Sequence, residues 1–87
     1  MTYTVLAIER EIQEIARARF DWIGDPSPEA DLRRDLALDS LHLVELQVAV
    51  EDRFNVIFDP LDEQLVEAFQ TIGHLAAYVD HLVRREG

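Results

Sequence analysis

Apolar residues recur along this chain at spacings of three and four, a period that fits helices and little else. In the first segment Val5, Ile8, Ile12, Ile15, Ala16 and Ile23 form one stripe. Arg10, Glu14, Arg17 and Asp21 lie opposite, spaced for ion pairs along a helix. Thr4 is placed to cap that helix, and Gly24-Asp25-Pro26-Ser27-Pro28 to stop it, because proline lacks the amide donor and restricts the residue before it. A long connection follows, from Gly24 to about Asp39, and its leucines Leu32, Leu36 and Leu38 predict a packed loop. Asp39-Ser40 predicts the start of a second helix that ends near Phe54. Asn55 to Pro60 reads as a turn, with Asp59-Pro60 as the cap and first residue of a short third helix ending near Ala68. Thr71 then caps a last helix, with Ile72, Leu75, Ala76, Val79 and Leu82 on its apolar side and Arg84 and Arg85 in its final turn. The expected fold is all-α: a small four-helix bundle with a long first loop and a short third helix.

Composition narrows the function. At 87 residues the chain has room for one core, so residues 1–87 are read as a single domain. Eighteen acids against eight arginines and no lysine give a net charge of −10. That sign argues against nucleic acid and against anionic membrane surfaces, and for basic protein partners. With no cysteine there is no disulfide framework, thiolate metal site or cysteine nucleophile. Charged residues from Glu9 onward interrupt any leader-like apolar stretch, and no run approaches the roughly 20 residues of a spanning helix. The expectation is a cytoplasmic monomer. Met1 and the tail Arg85-Glu86-Gly87 read as natural ends of a free-standing chain.

The second helix carries two apolar faces. At about 100° per residue, Leu43, Leu46, Val50 and Phe54 fall on one narrow arc, the expected core stripe. Leu41, Val44 and Val48 fall on the other side, among Glu45, Glu51 and Asp52. Either the preceding loop covers Leu41 and Val44 through Leu36 or Leu38, or the helix exposes an apolar strip rimmed by carboxylates. A strip of that kind suits brief encounters with basic proteins, the carboxylates steering and the apolar contacts holding.

Ser40 stands at the mouth of this helix. A serine there can simply cap it, worth about 1 kcal/mol. It can also hold a covalent phosphate, because free amides and the helix dipole both favour negative charge. The run Asp35-Leu36-Ala37-Leu38-Asp39-Ser40-Leu41-His42-Leu43-Val44-Glu45-Leu46 resembles the attachment-site motif of acyl carrier proteins. Val50-Glu51-Asp52-Arg53-Phe54-Asn55-Val56 and Thr71-Ile72-Gly73-His74-Leu75 extend the likeness, as do length, acidity and the long first loop.

The resemblance implies that a phosphopantetheinyl transferase moves 4'-phosphopantetheine from coenzyme A onto Ser40. The arm's thiol would then carry acyl thioesters between enzymes of fatty-acid or polyketide-type synthesis, without catalysis by the carrier itself. It further implies that Asp39 positions the attachment site and the transferase, and that Leu41, Val44, Glu45, Val48, Glu51 and Asp52 receive partners. Those partners would be acyltransferases, ketosynthases or ligase-type enzymes with basic docking surfaces. A peptidyl or aminoacyl carrier is the close alternative, and an unmodified acidic helical adaptor the distant one. Three features depart from the family pattern. Ala37 stands where glycine is frequent, His42 and Arg53 stand where acids are frequent, and the stretch from Asn55 to Gln70 is slightly long.

The remaining constellations carry less. His74 and His81 are seven residues apart on one helix, roughly 10 Å along its axis, too far to share an ion, and no metal site is expected with His42. No motif supports a hydrolase built on Ser40. Phe20, Trp22, Phe54, Phe58 and Phe69 read as core or loop packing, some of them available to line a groove for an acyl chain.

Overall fold

The computed structural model describes residues 4–20, 27–35 and 37–86, the last as backbone only. Four helices follow in order: α1 (Val5–Phe20), α2 (Ser40–Phe54), α3 (Gln64–Ala68) and α4 (Ile72–Glu86). The all-α expectation holds. Among the described residues the only β pairing is a single bridge between Asp31 and Thr71. The expected stop at Gly24–Pro26, together with Tyr3, Asp21, Trp22, Ile23 and Leu36, lies outside the described residues.

Thr4 caps α1 through its hydroxyl, which accepts the Ala7 N–H at 3.1 Å. The helix buries Ile8, Ile12, Ile15 and Ala16, as its period requires, while Val5 in the first turn stays exposed. Glu14 and Arg17 pair on the outer face. α4 packs against α1 and α3, and α2 against α1. Leu43, Leu46, Ala49, Val50 and Phe54 of α2 meet Ile72, Leu75, Ala76, Tyr78, Val79 and Leu82 of α4 in one apolar cluster with the α1 isoleucines.

The first loop is a packed segment, as its leucines predict. Leu32 is fully buried and Leu38 nearly so. Backbone bonds fix both: the Leu32 N–H donates to Gln70 O at 2.9 Å, and the Leu38 N–H to Leu32 O at 3.0 Å. The loop also presses on α4, where the Gly73 N–H donates to Pro28 O at 2.7 Å. A Cβ at position 73 would stand 3.1 Å from that carbonyl oxygen, so glycine permits the approach.

α3 departs from the expectation. Asp59-Pro60 does not start it; the helix begins only at Gln64. Asp59 instead closes a turn, its Oδ1 accepting the Leu61 N–H and its carbonyl the Asp62 N–H. Asp62 repeats the device on the Gln64 N–H, and its other oxygen accepts the Tyr78 hydroxyl at 2.8 Å. The α2–α3 connection is thereby moored to α4.

Candidate functional site at the start of the second helix

α2 begins where the sequence places it, but Asp39 and Ser40 take different parts. Asp39 is the N-cap, with extended backbone (φ −87°, ψ −177°), and its Oδ1 accepts the His42 N–H at 2.9 Å. Its carbonyl accepts the Leu43 N–H. Ser40 is therefore the first helical residue, exposed, and among the described residues nothing engages its hydroxyl. The capping role that would account for a serine here is already filled by its neighbour.

The chain reaches this point through Ala37, whose φ of 53° is left-handed. An L-residue pays for that conformation and glycine does not, which explains the physical meaning of the departure at this position. Further back, the Asp31 Oδ1 accepts the N–H groups of Arg33 and Arg34, and the Asp35 carboxylate accepts the Asp31 N–H. These backbone bonds, from Arg34 first and then Arg33, hold the Asp31 carboxyl below the usual carboxylate range.

On the outer side of α2, Leu41, Val44 and Val48 are 66%, 56% and 58% exposed. None of the described loop residues covers them, so the apolar strip is open to solvent. Glu45 and Asp52 flank it and are exposed. Glu51 is different: half-buried, it accepts the Phe58 N–H on one oxygen at 2.7 Å and so anchors the connection after α2. Its carboxylate therefore serves the fold as well as lying beside the strip.

The two basic departures also fall elsewhere than the strip. Arg53 pairs with Glu11 of α1. His42 packs edge-on against Phe20 of α1, centroids 5.4 Å apart, with its Nδ1 3.1 Å from Asp39 Oδ1. Both turn toward α1, so neither dilutes the negative rim around Leu41, Val44 and Val48. His74 bonds to its own cap, Nδ1 2.6 Å from Thr71 Oγ1.

Beside Ser40 opens a cleft of about 510 Å³ between α2, α3 and the first loop. Ser40, Leu43, Val44 and Gln47 form its α2 wall. Leu65, Val66 and Phe69 face them from α3 and its end, and Asp31, Arg33 and Gln70 complete the rim. Spacing alone could have found Val44 and Gln47, four and seven residues after Ser40 on one helix face. Of the aromatics, Phe69 lines this cleft, whereas Phe54 and Phe58 are core. A hydroxyl at an open helix N-terminus, next to a largely apolar cleft with a polar mouth, fits a phosphate-linked flexible arm.

Comparison with known proteins agrees with this geometry. The family described as "Phosphopantetheine attachment site" matches residues 10–79. The chain is 42% identical over 57 residues to an acyl carrier protein of Saccharopolyspora erythraea, covering 66% of this chain and 57% of that one. It is 39% identical over 59 residues to acyl carrier protein 3 of Ralstonia nicotianae, covering 68% and 64%. It is 33% identical over 54 residues to an acyl carrier protein of Helicobacter pylori, covering 62% and 65%. In each case the match spans less than two thirds of the relative's length.

Proposed function

Because the chain belongs to the phosphopantetheine attachment-site family, whose cofactor is 4'-phosphopantetheine, we propose that it is an acyl carrier protein loaded at Ser40. One observation carries the assignment of the residue: Asp39 performs the capping, which leaves the Ser40 hydroxyl exposed at the helix mouth. Loading esterifies the Ser40 oxygen to the phosphate of the arm; the hydroxyl gives up its proton, and adenosine 3',5'-bisphosphate leaves from coenzyme A. Once attached, the arm supplies a thiol that holds acyl groups as thioesters.

The chain's own residues bind and orient. Asp39 fixes the first turn, so that Ser40 sits at the dipole's positive end, where a phosphodiester is favoured. The apolar cleft walls, Val44, Leu65, Val66 and Phe69, can shelter part of the cargo. Leu41, Val44 and Val48, with Glu45 and Asp52, offer basic enzymes a small, steered contact suited to rapid exchange. Those partners are a phosphopantetheinyl transferase and the enzymes of fatty-acid or polyketide-type synthesis. The acidic Leu-Asp-Ser-Leu setting favours acyl over aminoacyl cargo.

The absence of cysteine makes the test free of background. After incubation with coenzyme A and a broad-specificity phosphopantetheinyl transferase, then desalting, a thiol-reactive dye should report one thiol per chain. Folded protein that gains no thiol would contradict the carrier reading and leave the unmodified adaptor.

A further inference from the structure

Among the residues lining the cleft beside Ser40, Arg33 is the only cation. It stands in the first loop directly after Leu32, whose carbonyl accepts the Leu38 N–H two residues before Ser40. The backbone thus returns Arg33 to the neighbourhood of the hydroxyl. Its side chain is exposed, and among the described residues no carboxylate forms an ion pair with it. Asp31 is the near competitor: its Oδ1 accepts the N–H groups of Arg33 and Arg34, and the charges of both arginines help to lower its carboxyl. No ion pair between Asp31 and Arg33 forms among the described residues, however. Arg34, one residue on, does not line the cleft.

An arginine in that place has a particular consequence in a chain of net charge −10. A phosphodiester on Ser40 adds a further negative charge beside the Asp39 carboxylate. The dipole of α2 offsets part of this repulsion, and a guanidinium at the cleft mouth offsets more, with planar donors matched to two phosphate oxygens. We propose that Arg33 is the positioning residue for the arm: its guanidinium pairs with the Ser40-linked phosphodiester and directs the arm along the α2–α3 cleft. This rests on the reading of Ser40 as the attachment site.

The test compares apo and loaded protein with no partner enzyme present, loading being verified by intact mass. Arginine side-chain Nε–Hε signals in ¹H–¹⁵N spectra, and the ³¹P signal of the phosphodiester, are recorded for wild type, Arg33→Gln and Arg34→Gln. Loading should shift the Arg33 Nε–Hε signal and leave that of Arg34 in place. Arg33→Gln should shift the ³¹P signal, and Arg34→Gln should not. Because Arg33 is exposed, far-UV circular dichroism should confirm unchanged helicity. A verified adduct with an unmoved Arg33 signal overturns the proposal while the attachment site stands. So does an Arg33 shift seen only when the thiol carries a malonyl group and not when it is free or acetylated, since the arginine would then serve a cargo carboxylate. Absence of any adduct overturns the attachment site itself, and this proposal with it.

Discussion

Asp39 and Ser40 divide between them work that either residue could do alone. The carboxylate caps the helix and the hydroxyl is left over, and the proposed attachment at Ser40 rests on this division. It can be tested with paired variants. Asp39→Asn keeps a capping side chain and should change stability by only a few tenths of a kcal/mol, whereas Asp39→Ala should cost about 1 kcal/mol in urea unfolding. Equal losses in the two would show that the charge and not the cap matters there. Ala37 carries the opposite lesson. At φ 53° it holds a conformation that costs an L-residue roughly 1 kcal/mol or more. Ala37→Gly relieves that strain but loosens the unfolded chain by about 0.4–1 kcal/mol. The variant should therefore be as stable as wild type or up to about 1 kcal/mol more stable; a clear loss would mean that the Ala37 methyl packs usefully.

At the scale of elements, α2 was readable almost to the residue because everything that defines it is local: a cap, a period, and an end at Asn55, which takes the left-handed conformation (φ 54°). That Leu41, Val44 and Val48 lie apart from Leu43, Leu46 and Val50 was readable for the same reason, whereas their exposure depends on where the preceding loop runs and is settled only by the fold. The existence of α3 and its end at Ala68 were readable too, but its start was not, because Asp59-Pro60 signals a turn as well as a helix start. The choice depends on Tyr78, 16 residues away, which claims Asp62 and holds the chain in two successive turns. The structural bond of Glu51 is out of reach in the same way: its partner is an amide seven residues on, beyond the helical wheel. Arg33, Leu65, Val66 and Phe69 reach the Ser40 cleft from other segments, so no period could have joined them to it. The proposed docking strip is best probed where the fold is not at stake. The double variant Glu45→Lys, Asp52→Lys should slow acyl transfer with a partner enzyme roughly tenfold at low ionic strength, the difference fading as salt shortens the screening length to about 8 Å. Unchanged transfer with intact helicity would place docking on another face.

Across the whole molecule the buried set is almost purely apolar, and among the described residues no charged side chain is buried. The pH response therefore rests on a few moorings at the edge of the core. Burial, and then the bond to Asp62, push the Tyr78 phenol up to about 12. A folded value above the ordinary 10.0 means that this contribution is complete below pH 10 and lost as pH rises toward 12. Asp62 is held below 3.8, first by the Gln64 N–H and then by Tyr78, so its contribution is complete above pH 3.8 and lost as pH falls through the lowered value. Tyr78→Phe should flatten the alkaline loss of stability between pH 10 and 12, read from thermal unfolding in that window; an unaltered alkaline profile would assign the loss to other groups. Part of the net charge of −10 likewise acquires a location, because Asp39, Glu45 and Asp52 lie on the same helix start and outer face as Leu41, Val44, Val48 and the exposed Ser40. That hydroxyl is the central claim, and intact mass spectrometry tests it most directly. Wild type and Ser40→Ala, both folded, are incubated with coenzyme A and a phosphopantetheinyl transferase. The account predicts a single phosphopantetheine adduct on wild type and none on Ser40→Ala; an adduct on both, or on neither, would contradict it.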